Sequence, residues 1–295
     1  MKPAPFKYLR PESVAEALRF LDDYGMDGKV LAGGQSLIPL LNMRLAKPLY
    51  LIDLGKLDDL KYIREEGDYL AIGAMVRHAE LECSQLIMEK CALLSEAVSL
   101  IGHVHIRNRG TIGGSIAHAD PSAELVCVLS ALRGEIVVAN GDGKRTVSPE
   151  DFFLTYLMTA IDVNEILTEV RFPKLPVKSG SAFSEFTRRN GDFALVSAAA
   201  VVALEESGEI SFIRLCLGGV GAVPFVCEEA ENGLIGQLPS ENIFREVSEF
   251  VKKELQPEAD VHASAEYRKQ LAGSLLQRSL LLATERATQK MKERI

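Results

Sequence analysis

Apolar residues first recur at helical spacing over residues 13–24, where Val14, Ala17, Leu18 and Leu21 share a face. Ser13 and Glu16 form a capping box at the start of this helix, and Gly25 ends it. Lys29-Val30-Leu31 reads as a short strand running straight into Gly33-Gly34. Ser36 to Leu45 predicts a short helix with Pro39 near its start. Strands follow at Leu49–Asp53 and Tyr69–Met75, and residues 78–101 read as helix in two pieces. A second glycine-rich turn lies at Gly110–Ser115. Asp120-Pro121 has the form of a helix start, cap then first-turn proline, for a helix reaching about Leu132. Strands at Glu135–Ala139 and Glu165–Phe172 close this part of the chain.

The stretch from Pro173 to Gly180 holds three prolines or glycines and two lysines among little that can be buried, so it reads as a linker. Beyond it the pattern becomes strand-like, at Phe183–Arg188, Leu195–Leu204 and Ile210–Leu217. Turn signals at Asn190-Gly191 and Ser207-Gly208 predict an antiparallel meander. Helices near 241–254 and 264–290 complete the chain. The prediction is an α+β protein of two domains, 1–177 and 178–295, the second a three-stranded antiparallel sheet with helices.

A chain of 295 residues with 47% hydrophobic and 25% charged residues has an ordinary globular composition. A formal charge of -8 and the absence of Trp argue against nucleic-acid binding. The longest apolar run, Ala194 to Leu204, is far short of a membrane span and reads as a buried strand. Met1-Lys2-Pro3-Ala4-Pro5 lacks the apolar stretch of a secretion signal. The five cysteines show no Cys-x-x-Cys spacing, which predicts reduced thiols in a cytoplasm and no iron–sulfur or structural zinc site on this chain.

The two glycine turns carry the chemistry. Ala32-Gly33-Gly34-Gln35-Ser36 lies between a strand and a helix, and Gly110-Thr111-Ile112-Gly113-Gly114-Ser115 is the second. Adjacent glycines let backbone N–H groups point into a concavity with no Cβ in the way, and such nests bind phosphate oxygens. A helix starting just after the turn adds a favourable dipole. Ser36, Thr111 and Ser115 add hydroxyls, and Lys29 is the nearby cation. Two such turns can close on a diphosphate from both sides, while either alone is explained as a tight turn. A Rossmann fingerprint and a Walker loop are absent, since Gly141-Asp142-Gly143-Lys144 reads as a hairpin turn.

Other residues are less informative. His103, His105, His118 and Asp120 imitate a metal set without a fixed third ligand, so no metal site is expected. No Gly-x-Ser-x-Gly elbow supports a catalytic triad. Cys83 and Cys91 stand in apolar helical contexts and read as core. Arg107, Asn108 and Arg109 are either solvated surface or a face toward phosphates or a partner. Glu124 is either plain helix surface or a ligand for a ribose hydroxyl.

The pair Ala32–Leu37 and Gly110–Ser115 resembles the FAD-binding medium subunit of the molybdenum hydroxylases, the xanthine dehydrogenase and aerobic carbon monoxide dehydrogenase family. The resemblance spans essentially the whole chain. It takes in the Phe6–Pro11 opening, Gly73-Ala74 and the Arg188–Ala194 turn. It implies an N-terminal two-lobed FAD domain of the vanillyl-alcohol-oxidase (PCMH) type before the C-terminal domain. It places the FAD diphosphate at residues 32–36 and 111–115, with Lys29, Leu31 and Gly110 beside them. Glu124 would contact the adenosine side, Ile101, Ile166 and Leu167 would line the cofactor, and Phe193 would lie near the flavin ring. Gln35 stands where many relatives have His, and Ser115 where many have Asn; both keep hydrogen-bonding capacity.

The resemblance also implies partners, a large subunit with the molybdenum cofactor and a small subunit with two 2Fe–2S clusters, assembled as a dimer of heterotrimers. This chain would then carry electrons from the clusters to an external acceptor, with no catalytic acid or base of its own. The organic substrate would be read by the large subunit. Two other readings stand beside it: a self-sufficient flavin oxidase or reductase of the same fold, and an assembly module that has kept the fold without FAD.

Overall fold

The computed structural model describes residues 2–292. Met1 and residues 293–295, which the two expected domains include, lie outside the described residues. The first lobe runs β1 (Lys7–Leu9), α1 (Val14–Tyr24), β2 (Gly28–Leu31), α2 (Leu37–Asn42) and β3 (Tyr50–Asp53). Its three strands form a parallel sheet in the order β1-β3-β2. Ser13 accepts from the Glu16 N–H at the start of α1, and the buried face of Ala17, Leu18 and Leu21 joins Ile52, Leu54, Leu57 and Met75 in one small core. The Glu16 carboxylate reaches the N–H of Glu12, one residue earlier than a capping box requires.

The second lobe begins with the hairpin β4 (Ile63–Glu66) and β5 (Tyr69–Gly73). Helices α3 (His78–Cys83), α4 (Gln85–Lys90), α5 (Ala92–Leu100), α6 (Val104–Arg107), α7 (Ile112–His118) and α8 (Glu124–Ala131) follow. Then come β6 (Glu135–Ala139), β7 (Lys144–Val147), α9 (Pro149–Phe152), β8 (Phe153–Thr155), β9 (Met158–Thr159) and β10 (Ile166–Pro173). The sheet is antiparallel, ordered β4-β5-β10-β6-β7, with β8 and β9 as a separate small hairpin. All eight residues of α8 are buried, so it is a core helix.

The C-terminal part is a meander of β11 (Gly180–Phe186), β12 (Val196–Leu204), β13 (Ile210–Gly218) and β14 (Phe225–Val226), then α10 (Glu228–Leu234), α11 (Glu241–Glu254) and α12 (Ala265–Lys292). Every residue of β12 is buried. Its alternation of faces explains this. Ala199 and Val201 join the core around α8, while Ala198, Ala200 and Val202 join the core under α12. The sheet is thus covered on both faces, which is why this strand reads as one apolar run.

Several expectations are corrected. The second sheet has a fourth, two-residue strand rather than three strands, and residues 78–101 form three helices rather than two. Asp120-Pro121 does not start α8: the Asp120 side chain accepts from the Ser122 N–H in a tight turn, and Ala123 is the N-cap. The helix after Ser36 stops at Asn42, before Arg44 at a φ of 59°. Cys83 is exposed, whereas Cys91 is buried between α4 and α5. The strands β1, β4, β7, β8 and β9 and the helices α6, α9 and α10 stand where the sequence reading places no element.

Gly180 sits where a Cβ would meet the Ala283 carbonyl oxygen at 2.0 Å, so α12 lies against bare backbone there. Gly180→Ala is expected to cost about 1–3 kcal/mol through overpacking and to lower the thermal unfolding midpoint. An unchanged midpoint would refute this close packing.

Candidate functional site

The first glycine turn follows β2 at the carboxyl end of the parallel sheet, the usual place for ligands in such sheets. Gly34 has a φ of +78°, and Leu31 and Ile38 pack beneath it. The Gly34 and Ser36 carbonyls accept from Ile38 and Leu40 as the chain enters α2. The N–H groups of residues 33–36 donate to no protein acceptor among the described residues. Four adjacent unengaged donors with glycine beside them form a nest for an anion.

The second motif differs from its sequence reading, because Ile112 onward is already helix α7. Thr111 is the N-cap, its Oγ1 accepting from the Gly114 N–H at 3.1 Å. The Ile112 and Gly113 N–H groups are bonded to the Val76 and Ala74 carbonyls. The glycines therefore divide by role. A Cβ on Gly110 would strike the His78 ring at 2.7 Å, and one on Gly113 would strike Ala74 at 2.5 Å. Those two serve close packing. Gly114 instead looks across to the first turn, its Cβ position 3.4 Å from the Ala32 Cβ.

The two turns are in contact. A Cβ on Gly33 would fall 2.3 Å from the Arg109 carbonyl oxygen and 2.8 Å from the Gly110 Cα. Arg77 bonds the same Arg109 carbonyl and forms a bridge with Thr111, fixing the segment that enters α7. Residues some 80 positions apart thus make one continuous cradle, between the carboxyl end of β2 and the first turn of α7.

The remaining expected residues are placed as follows. Lys29 is exposed on β2. The His118 pKa is lowered by burial, with Lys29 a smaller cause and Asp120 opposing it. Ile101 caps α5 and belongs with Leu167 to the main core, while Ile166 belongs to the first-lobe core. Glu124 is not helix surface: it is 4% exposed at the first position of α8, and burial pushes its pKa up to about 8, with Glu185 and Asp120 adding to the rise. Phe193 is 55% exposed on the loop between β11 and β12. That loop touches the second lobe, because Gly191 packs against the His103 ring.

Arg107 is structural, paired with Glu82 at 2.7 Å and bonded to the Ile101 and Gly102 carbonyls. No group of three or more potential metal ligands occurs among the described residues. Two titratable residues were not singled out from the sequence. His78 is buried, and burial lowers its pKa to about 4, so it is neutral. Glu185, on β11 of the C-terminal part, is raised to about 7 by burial. Neither carries a local motif; only tertiary contact reveals them.

The pattern described as the FAD binding domain in molybdopterin dehydrogenase matches residues 4–175, and that of the CO dehydrogenase flavoprotein C-terminal domain matches 181–283. The chain belongs to this family. It is of the FAD-binding medium-subunit type found in molybdenum hydroxylases, a component of oxidoreductases. The alpha subunit of the 6-hydroxypseudooxynicotine dehydrogenase complex of Paenarthrobacter nicotinovorans is 42% identical, with 97% of each chain covered. The carbon monoxide dehydrogenase medium chain of Hydrogenophaga pseudoflava is 35% identical over 97% of this chain and 99% of its own. Among solved structures, carbon monoxide dehydrogenase from the same organism superposes with a TM-score of 0.94 at 36% identity, covering 97% and 99%. Quinoline 2-oxidoreductase from Pseudomonas putida 86 gives 0.93 at 34%, also covering 97% and 99%.

The flavin subunit's cradle fits FAD on its own geometry: a row of free N–H groups at residues 33–36, held by glycines whose missing side chains let the two turns pack together. A test of its environment lies in Glu124. An acid raised from 4.5 to about 8 on folding stays protonated in the native state while the unfolded chain ionises. Its stability contribution is therefore full below pH 4.5 and is lost as pH rises toward about 8. Glu124→Gln should remove up to about 1.4 kcal/mol of pH-dependent loss per pH unit in that window. Parallel stability–pH curves for the two proteins between those limits would contradict the burial of a neutral acid.

Proposed function

We propose that this chain holds one FAD with its diphosphate between residues 32–36 and 111–115, and relays electrons from a small 2Fe–2S subunit to an external acceptor. The observation that carries this reading is the contact of the two glycine turns around unengaged N–H groups. Bound FAD supplies the redox chemistry, taking up and releasing electrons between carriers that handle one and two. The protein's part is to hold and orient it. The nest at residues 33–36 supplies the free donors for the diphosphate, since the first N–H groups of α7 are already bonded. The neutral Glu124 can donate as well as accept a hydrogen bond to the adenosine side. Ile101, Ile166 and Leu167 supply apolar wall, and Phe193 reaches over from the second domain. Lys29 stands at the exposed margin.

The proposed units are 1–177 for FAD and 178–295 for the C-terminal domain. The proposed assembly is a dimer of heterotrimers with a large molybdenum-cofactor subunit and the small 2Fe–2S subunit, in the cytoplasm. Five unpaired thiols among the described residues support a reducing compartment. No helix among the described residues is long and apolar enough to cross a membrane. Relatives at 35–42% identity, each aligned over 97% of this chain, are named for 6-hydroxypseudooxynicotine, caffeine and carbon monoxide. One scaffold shared among such different substrates supports a substrate read by another subunit.

A Cβ on Gly34 would press on Ile38 at 3.0 Å and one on Gly114 on the Thr111 Oγ1 at 2.8 Å, so Gly34→Asp and Gly114→Asp each disturb a turn of the cradle and add negative charge beside it. Both are expected to purify folded but without flavin, as measured by cofactor release and absorption near 450 nm. Wild-type flavin content in both would overturn the site assignment.

A further inference from the structure

A second concavity lies away from the cradle. Helix α8 runs from Glu124 beside the proposed cofactor site to Arg133 just past its far end, about 13 Å at the helical rise of ~1.5 Å per residue. There, between the second lobe and the C-terminal domain, is a cavity of about 770 Å³. Its apolar wall includes Phe153, Phe225 and Phe250, the last 39% exposed. Glu150, Glu229 and Glu254 also line it, are exposed, and carry no ion pair among the described residues. Arg133 crosses the seam to Glu231 at 2.6 Å and Glu228 at 3.6 Å, yet its Nη1 is buried without an acceptor. It does so from a φ of 48°, a backbone conformation that L-residues adopt at a cost.

The wall continues outward as an apolar surface. From Phe153 the chain leaves as the β8–β9 hairpin, whose Leu154, Leu157 and Met158 are each 55–56% exposed. Leu157 forms its tip at a φ of 55°. An apolar hairpin tip left in solvent is available for a contact outside the chain. A small ligand confined to the cavity has no use for this hairpin, whereas a polypeptide spans both.

We infer that this seam cavity and hairpin dock a basic, apolar-flanked segment of a partner subunit. Its Lys or Arg side chains meet the three free glutamates, and its apolar residues cover the phenylalanine wall and the hairpin. The helix terminus adds to the preference for positive charge, since the last carbonyls of α8 face this end. The inference rests on the chain working inside a multi-subunit enzyme.

The test uses the chain co-expressed with its partner subunits. In one variant Glu150→Lys, Glu229→Lys and Glu254→Lys are combined; in a second, Leu154→Glu is joined to Met158→Glu. The expected result is wild-type flavin content in both, with the share of chain found in the complex at 0.15 M salt falling at least tenfold. A photo-crosslinking residue at position 229 should capture a partner-subunit peptide rich in Lys and Arg. Unchanged assembly in both variants, or crosslinks confined to this chain or a second copy of it, would overturn the inference. A wild-type chain that joins no complex would overturn it together with the subunit reading, whereas loss of flavin without loss of assembly would count against the cofactor site alone.

Discussion

The site depends on one approach of backbone to backbone, that of Gly33 against the carbonyl of Arg109 and the Cα of Gly110. Only hydrogen fits there, since a methyl group would lie 2.3 Å from the carbonyl oxygen. This contact joins the carboxyl end of a parallel sheet to the entrance of a helix in another lobe. The elements behind each side keep it in place. The first-lobe core sets β2, while Arg77, Ala74 and the His78 ring set the segment before α7. A row of free N–H groups on one side and a helix start on the other are then held face to face by packing within the chain. Such preorganisation lowers the ordering cost of binding.

The C-terminal domain is bound into the same structure. Its sheet sends alternate residues of β12 into two cores, one around α8 and one under α12. Glu124 and Glu185 lie where these meet, both uncharged more readily than ordinary acids because burial penalises the carboxylate. Near this seam the Arg188–Ala194 loop packs on His103 through Gly191.

Much of this was legible in the sequence because local chemistry dictated it. Paired glycines flanked by hydroxyl residues marked both turns, and the apolar run from Ala194 marked a strand buried on both faces. The Asn190-Gly191 and Ser207-Gly208 turns fixed the order of the meander. What failed was set by distant contacts. Asp120-Pro121 has the composition of a helix start, but the Asp120 side chain closes a turn and the helix waits until Glu124. Glycines 110 and 113 also have a packing role that their motif does not show, since their missing side chains make room for His78 and Ala74. The burial of Glu124 had no local signal, since an acid in a first helical turn is ordinarily solvated. The short strands after Ala139 were hidden because exposed Lys144 to Thr146 show no alternation that one strand could reveal.

The account's central claim is that contact between the two turns builds the FAD site. Titration of cofactor-free protein with FAD, followed by flavin fluorescence, tests it most directly when wild type is set beside Gly33→Val. The account predicts one FAD per wild-type chain and no saturable binding by the variant, with an unchanged far-ultraviolet circular dichroism spectrum. Binding by Gly33→Val as tight as by wild type would contradict it.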